Sequence, residues 1–287
     1  MPERDHYIPG VPCWVDTSQP DPQAAVEFYR GLFGWEFEDV MPPGSGANYY
    51  IGRLRGGDVA AVGSIPEGAP PVATWNTYVA VADADAAVAK VREAGGTVVT
   101  EPFDVMEAGR MAAFTDPEGA ELLVWQANQM PGARVVNEHG SINFNGLGTR
   151  DVDAAKAFYG SVFGWTTLDV GGGAEMWTLP GYGDDLERDN PDLRKMVAES
   201  GGPPGFEDVV AAITPIGADQ PDTPPHWSVT FASDDADATA ARAAELGGTV
   251  VVPPMDAPWT RMTVLQDPQG ATFIASAFVP ENKDLGT

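Results

Sequence analysis

The sequence predicts an α+β protein of four β-α-β-β-β units arranged as two tandem halves. Three observations carry this. The stretch Phe28-Tyr29-Arg30-Gly31-Leu32-Phe33-Gly34-Trp35 returns as Phe158-Tyr159-Gly160-Ser161-Val162-Phe163-Gly164-Trp165, with Asp21 and Ala25 ahead of one copy and Asp151 and Ala155 ahead of the other. Each half ends on Asp-Pro-x-Gly before a last strand, at Asp116-Pro117-Glu118-Gly119 and Asp267-Pro268-Gln269-Gly270. Between these markers strand-like and helix-like periodicities follow in the same order.

The first unit opens with a strand over 11–16, Val-Pro-Cys-Trp-Val-Asp, and turns through Gln19-Pro20-Asp21-Pro22. Asp21 suits a helix N-cap, and Pro22 suits the first helical position, where a missing N–H costs nothing. The helix runs to about Leu32 and buries Ala25, Phe28, Tyr29 and Leu32 at i, i+3, i+4, i+7 spacing. Gly34 fits its C-terminal turn. Strands are expected at 35–40, 48–54 and 58–65.

The second unit repeats the order. A strand covers 75–81, Asp83 caps a helix ending at Gly95-Gly96, and strands follow at 97–100, 110–115 and 120–126. Residues 129–139 are polar, contain Pro131-Gly132, and read as a linker. In the second half a strand at 141–147 leads to a helix from Asp151 and strands from Trp165 and at 174–179. Strands at 208–214 and 226–232, a helix from Asp235 to Leu246, a strand at 249–252 and a closing hairpin complete it. Tyr159 lies 130 positions after Tyr29, whereas Trp227 lies 152 after Trp75. The second half therefore carries an insertion of about 22 residues, near 181–206, with Leu186, Leu193, Met196 and Val197 suited to a short helix. The predicted domains are 8–128 and 140–280.

At 287 residues the chain exceeds one typical core, and 43% hydrophobic content is enough to fill two. Sixteen basic and 42 acidic residues leave a formal charge of −26. That field repels nucleic-acid backbones and anionic membranes, so neither is expected as a partner. Cys13 is the sole cysteine, which excludes an intramolecular disulfide. Residues 1–10 lack the apolar run of a secretory signal, and no run reaches the roughly 20 apolar residues of a spanning helix. A cytoplasmic location is expected.

The unit order, the Phe-Tyr helix ends and the Asp-Pro-x-Gly turns resemble the vicinal oxygen chelate superfamily, which includes glyoxalase I, bleomycin-resistance proteins and extradiol dioxygenases. The strand at 11–16, the two Gly-Trp pairs and Gly181-Tyr182-Gly183-Asp184 are similar to the tandem glyoxalase-like proteins of actinobacteria often labelled hydroxylases. The resemblance implies that two units pair into a cup-shaped sheet whose concave face holds the ligand, with metal ligands in some members at four cup positions. Counted from the helix caps and turns, these positions fall at Trp14, the strand Val59–Ser64, Thr77 and Leu123 in the first half. In the second they fall at Phe144, the strand Val209–Ile213, Val229 and Ile274. None supplies the imidazole or carboxylate that a divalent transition metal prefers. His6, His139 and His226 show no ligand spacing. No metal or other cofactor is expected.

Strand alternation places Trp14, Asp16, Trp75, Thr77, Val79, Leu123 and Trp125 on one face, and Phe144, Trp227, Val229, Phe231, Ile274 and Ser276 on its counterpart. These suit a flat, mostly apolar molecule; they equally suit a collapsed core. Asp16 stands in this apolar company either as a general acid or base or as an acceptor of backbone hydrogen bonds. Arg110 and Arg261 precede the last-but-one strands, where they reach either a ligand oxygen or a surface ion pair. Tyr50 and Trp177 on middle strands can stack on a planar ligand, and Trp259 can cap a cup mouth. Cys13 points to the helix side as a buried structural thiol. Glycine pairs without a phosphate-loop lysine give nucleotide binding no support.

The expected function is a metal-independent protein that binds an aromatic or polyketide-like metabolite, for self-resistance or as an accessory of antibiotic biosynthesis. It is expected as a monomer or homodimer. The alternative is a cofactor-free tailoring enzyme, a cyclase, isomerase or lyase rather than a glyoxalase I or dioxygenase. A structural protein with closed cups is a third reading.

Overall fold

The structure, a computed structural model, describes residues 3–171 and 174–285. The first half contains β1 (Pro12–Gln19), α1 (Pro22–Phe33), β2 (Glu36–Asp39), β3 (Tyr49–Leu54) and β4 (Gly57–Ser64), then β5 (Thr74–Ala80), α2 (Ala84–Glu93), β6 (Thr97–Val105), β7 (Gly109–Thr115) and β8 (Glu121–Ala127). The second half contains β9 (Ile142–Thr149), α3 (Val152–Phe163), β10 (Thr166–Gly171) and β11 (Ala174–Thr178). After the inserted helices α4 (Tyr182–Asp189) and α5 (Leu193–Glu199) come β12 (Val209–Pro215), β13 (His226–Ala232), α6 (Ala236–Glu245), β14 (Thr249–Ala257), β15 (Thr260–Gln266) and β16 (Thr272–Phe278). Each half forms one eight-stranded mixed sheet, ordered β2-β3-β4-β1-β5-β8-β7-β6 and β10-β11-β12-β9-β13-β16-β15-β14. The two units of a half thus meet at a central antiparallel pair, β1 with β5 and β9 with β13.

Local chemistry explains the repetition. Asp21, Asp83, Asp151 and Asp235 each accept a hydrogen bond from the amide three residues on, and so cap α1, α2, α3 and α6 in the same way. Gly34 and Gly164 end α1 and α3 at φ of 72° and 76°, a left-handed geometry that glycine adopts without strain. The edge strands β6 and β14 run to nine residues, longer than the four expected. Pro102 and Pro253-Pro254 sit there without loss because an outer edge needs no ladder N–H. The insertion holds two short helices where one was expected.

The inner faces of the two sheets pack on each other, with α1 beside α6 and α2 beside α3. The repeated aromatic stretch lies at this junction. Tyr29, fully buried, donates to Asp267 at 2.9 Å in the turn of the other half, and accepts from the Trp75 indole at 3.0 Å. Tyr159 does the same with Asp116 at 3.0 Å and the Trp227 indole at 2.9 Å. Trp35 donates to the Gly140 carbonyl and Trp165 to that of Gly10, both at 2.7 Å, so the exchange is doubled. Asp116 and Asp267 also hold their own turns by accepting the amides of Glu118 and Ala120, and of Gln269 and Ala271. Thr77 donates to Asn145 at 2.9 Å across the junction. No helix among the described residues is long and apolar enough to cross a membrane.

The two locks differ in one partner. Asp267 Oδ2 accepts from Gln19 at 2.6 Å as well as from Tyr29; the same oxygen of Asp116 has only Tyr159 among the described residues. Removing a buried partner costs about 1–3 kcal/mol when it leaves a polar group unsatisfied. Tyr159→Phe is therefore expected to lower stability by about 1–3 kcal/mol, and Tyr29→Phe by less. Urea midpoints measure both, and equal midpoints for Tyr159→Phe and wild type would show that the lock adds nothing.

Candidate functional site

The strand register decides which side chains reach each cup. In the first half Trp14 lies opposite Tyr78 and Asp16 opposite Asn76, while Val15 faces Thr77 and Thr17 faces Trp75. Tyr78 pairs with Leu123 and Ala80 with Trp125. The cup face thus carries Trp14, Asp16, Asn76, Tyr78, Leu123 and Trp125. Trp75, Thr77 and Val79 lie on the opposite face, one residue out of the expected register. Their side chains are claimed by the junction: Trp75 bonds to Tyr29 and Thr77 to Asn145. The same correction holds in the second half, where Ser228 and Thr230 face the cup opposite Gly146 and Phe144, while Trp227, Val229 and Phe231 are buried in the interior.

Asp16 is the polar centre of the first cup and is only 5% exposed. Its carboxylate accepts from Tyr78 at 2.7 Å, Tyr49 at 2.9 Å and Asn76 at 2.8 Å. Its partners are thus side chains and not the backbone amides that strand-end logic suggests. Burial pushes the Asp16 carboxyl above its ordinary value, and the hydrogen bonds from Asn76, Tyr78 and Tyr49 pull it partly back. Tyr49 also accepts from the Trp14 indole at 3.1 Å. Its ring crosses the sheet floor over Gly63, where an added Cβ would come within 2.9 Å of it. The segment after β8 then closes one end: Met130 O accepts the Trp125 indole, and the amides of Ala133 and Arg134 bond to Cys13 O and Asp58 O. Gly132 passes so near Cys13 O that a Cβ would lie 2.4 Å from it. Trp14, Tyr78, Leu123 and Trp125 are all buried. The stretch read as a linker thus also packs against one end of the first cup.

The second cup keeps the frame and loses the bulk. Gly146 stands where Asp16 does, Ala174 for Tyr49, Phe144 for Trp14, Ser228 for Asn76, Thr230 for Tyr78 and Ser276 for Trp125. Phe144, Met176, Ser228, Met262, Val264 and Ile274 remain partly exposed on its floor. The result is a partly exposed floor of thioether, aliphatic and aromatic groups with the hydroxyl of Ser228 among them and those of Thr230 and Ser276 buried beneath. The inserted helices stand at its inner end. A cavity of about 190 Å³ lies between them, the N-terminal segment and the start of β9, with Phe144 and Val210 in its wall.

The other expected site residues lie elsewhere. Arg110 is paired with Asp85 and Asp104, and Arg261 with Asp237 and Asp256, so both guanidiniums are engaged at the surface and held above their usual pKa by those carboxylates. Tyr50 donates to Gln23 on α1, on the helix side. Trp177 is fully buried against Tyr159 and Trp165. Trp259 donates to Ser200 O and ties the end of the insertion to the β14–β15 turn. Cys13 is buried, and burial pushes its thiol up. Asn76, Tyr78, Ser228 and Thr230 escaped the sequence reading because β5 and β13 bury residues on both faces, and alternation reveals two faces but not which one is the cup; Tyr49, at the start of β3, was passed over for its neighbour Tyr50.

The four positions that would hold a metal in each cup do not fit one. Among the cup-face residues of the first half only Asp16 is a strong ligand, and its oxygens are already bonded to three donors. The second cup offers hydroxyls and thioethers, a poor set for a divalent ion. Among the described residues no group of three or more His, Cys, Asp or Glu could hold a metal.

Comparison with known proteins agrees with this architecture. The family model described as Glyoxalase/Bleomycin resistance protein/Dioxygenase superfamily matches residues 14–124 and 141–274. The Mycobacterium tuberculosis protein CFP32, which bears the name of a glyoxylase, is 43% identical over 283 residues, covering 95% of this chain and 97% of its own. DnrV of Streptomyces peucetius, named an anthracycline biosynthesis protein, is 38% identical over 282 residues, covering 93% of each chain. Among solved structures, the Mn(II)-bound glyoxalase from Novosphingobium aromaticivorans aligns with a TM-score of 0.59 at 18% identity, over 94% of this chain and 82% of its own. At that identity it speaks for the fold alone.

The Asp16 cluster predicts a pH signature. A carboxyl whose folded pKa lies above its unfolded value binds its proton more tightly when folded, so it favours folding at low pH. That contribution fades as pH rises through the window from its ordinary value of 3.8 to the raised folded value. Wild type should therefore lose stability relative to Asp16→Asn across that window and hold a constant difference above it. Urea stability at a series of pH values measures the difference directly; a flat difference would contradict the buried-carboxyl account.

Proposed function

This chain belongs to the glyoxalase/bleomycin resistance protein/dioxygenase superfamily, and we propose that within it the protein is a metal-independent binder of an aromatic or polyketide-like metabolite, received in the second cup. The observation that carries the reading is the substitution of Asp16, Tyr49, Tyr78 and Trp125 by Gly146, Ala174, Thr230 and Ser276 at matching places in one frame. Volume is removed where a ligand would lie, and methionines with a few hydroxyls line the space, a combination suited to flat rings bearing oxygen. The likeness to a protein named for anthracycline biosynthesis supports a ligand of that kind and an accessory role in secondary metabolism.

A second reading has one observation in its favour. Asp16, buried between two tyrosine hydroxyls, is a carboxyl placed to exchange a proton, as a cofactor-free cyclase, isomerase or lyase requires. In that case catalysis would reside in the first cup and depend on the segment packed against its end opening.

Calorimetry with 1,8-dihydroxyanthraquinone separates the two. Binding is expected to persist in EDTA and in Asp16→Asn, and to weaken at least about tenfold in Ile274→Trp, which refills the second cup. Loss of binding in EDTA, or insensitivity to Ile274→Trp, would contradict the proposal.

A further inference from the structure

The chamber at the inner end of the second cup contains a charge that the sheet does not supply. Arg4 comes from the N-terminal segment, where its amide is fixed by Arg134 O at 2.8 Å and its neighbour Tyr7 donates to Ala133 O at 2.6 Å. Its guanidinium lies 4.6 Å from the Tyr7 ring centre and 5.6 Å from that of Tyr182 on α4. The side chain is 11% exposed. Among the described residues its sole hydrogen-bond partner is the Tyr182 hydroxyl, at 2.8 Å. The nearest carboxylate oxygen, on Asp185, is 3.9 Å away, and Asp185 is shared with Arg188 and His6.

A guanidinium carries five N–H donors, and that of Arg4 spends one on Tyr182, leaving the others open to the chamber and to a ligand that enters it. Phe144, Leu186, Leu193 and Val210 give the chamber an apolar wall, and Asp189 with several asparagines completes the lining. A site built this way favours a flat apolar body with an ionised oxygen at one edge, because the oxyanion completes the guanidinium fork while the rings lie against the apolar wall. The volume, about 190 Å³, falls below the roughly 300–1,000 Å³ of drug-sized pockets. It admits one or two rings, and a larger molecule would extend from it into the open cup.

We infer that this chamber is an oxyanion-recognition site, in which Arg4 binds the carboxylate, phenolate or enolate edge of an aromatic ligand under a roof made by α4 and α5. The inference rests on the reading of the second cup as the receiving one and adds the chemistry by which one end of the ligand is selected. It also gives the insertion a purpose: the first half has a two-residue hairpin, Arg55-Gly56, where the second half has this roof.

The test uses two isosteric probes, 2-naphthoate and 2-naphthamide, titrated against the full chain by calorimetry. Wild type should prefer the carboxylate by about tenfold, the scale of one charge-assisted hydrogen-bonded contact. Arg4→Met, which keeps the stem packed between the tyrosines, should abolish that preference, with the larger loss falling on the carboxylate. Arg4→Lys should restore part of it, which shows that charge rather than a loss of folding is being read. Leu193→Trp should exclude both probes. Equal affinity of wild type for the two, or a preference that survives Arg4→Met, overturns the inference. Binding of 1,8-dihydroxyanthraquinone that is lost in Ile274→Trp but unaffected by Arg4→Met and by Leu193→Trp would overturn it as well, while leaving the second cup as the ligand site.

Discussion

Two tyrosine hydroxyls, one on each repeated helix, reach across the molecule and bond to an aspartate in the other half's final turn. Each hydroxyl is also the acceptor for an indole N–H from the strand beneath it. All these groups are buried, so each depends on the others for its hydrogen-bonding capacity, and an orphaned member would cost about 1–3 kcal/mol. The arrangement commits the inner face of each sheet to the other half. Trp75, Thr77, Trp227 and Val229 are consumed by that junction, and the outer faces alone remain for ligands.

Once the frame is committed in this way, the two cups are free to diverge. In the first, Tyr49 lies across the floor with Gly63 making room beneath it, Asp16 collects three donors, and residues 130–135 close one end. In the second, a glycine and an alanine replace the aspartate and tyrosine, and an insertion takes the place of a tight hairpin. The symmetry of the chain is a property of its helices and turns. The loss of symmetry is a property of its cups, and the proposed function rests on it.

Much of this frame was legible in the sequence. Asp21, Asp83, Asp151 and Asp235 as caps, glycines after the helices and Asp-Pro-x-Gly turns are local signals, and local geometry satisfied each of them. The cup faces were legible for β1, β8, β9 and β16, where Trp14, Leu123, Phe144 and Ile274 do face outward. They failed for β5 and β13, whose two faces are both occupied by large or hydrogen-bonded side chains. Sequence periodicity separates the set Trp75, Thr77, Val79 from the set Asn76, Tyr78, but the choice between them was made by Tyr29, 46 residues away in the chain. Arg4 was illegible for a similar reason: it acquires meaning only because α4, far along the chain, supplies Tyr182 against it.

The sign of Arg4 matters in a protein of formal charge −26. At physiological salt the field of exposed carboxylates is screened within about 8 Å, so it opposes the approach of small anions only weakly. Inside the chamber Arg4 is only 11% exposed, and a guanidinium at contact distance outweighs solvated carboxylates farther away. The acidic surface and the guanidinium in the chamber are therefore compatible, and on the inference drawn above they would favour ligands of a particular form. A polyanion is repelled by the surface and gains only one contact inside. On that inference, a large aromatic body with a single ionised edge would meet little opposition outside, lay its rings on the methionines, and place its charge against Arg4.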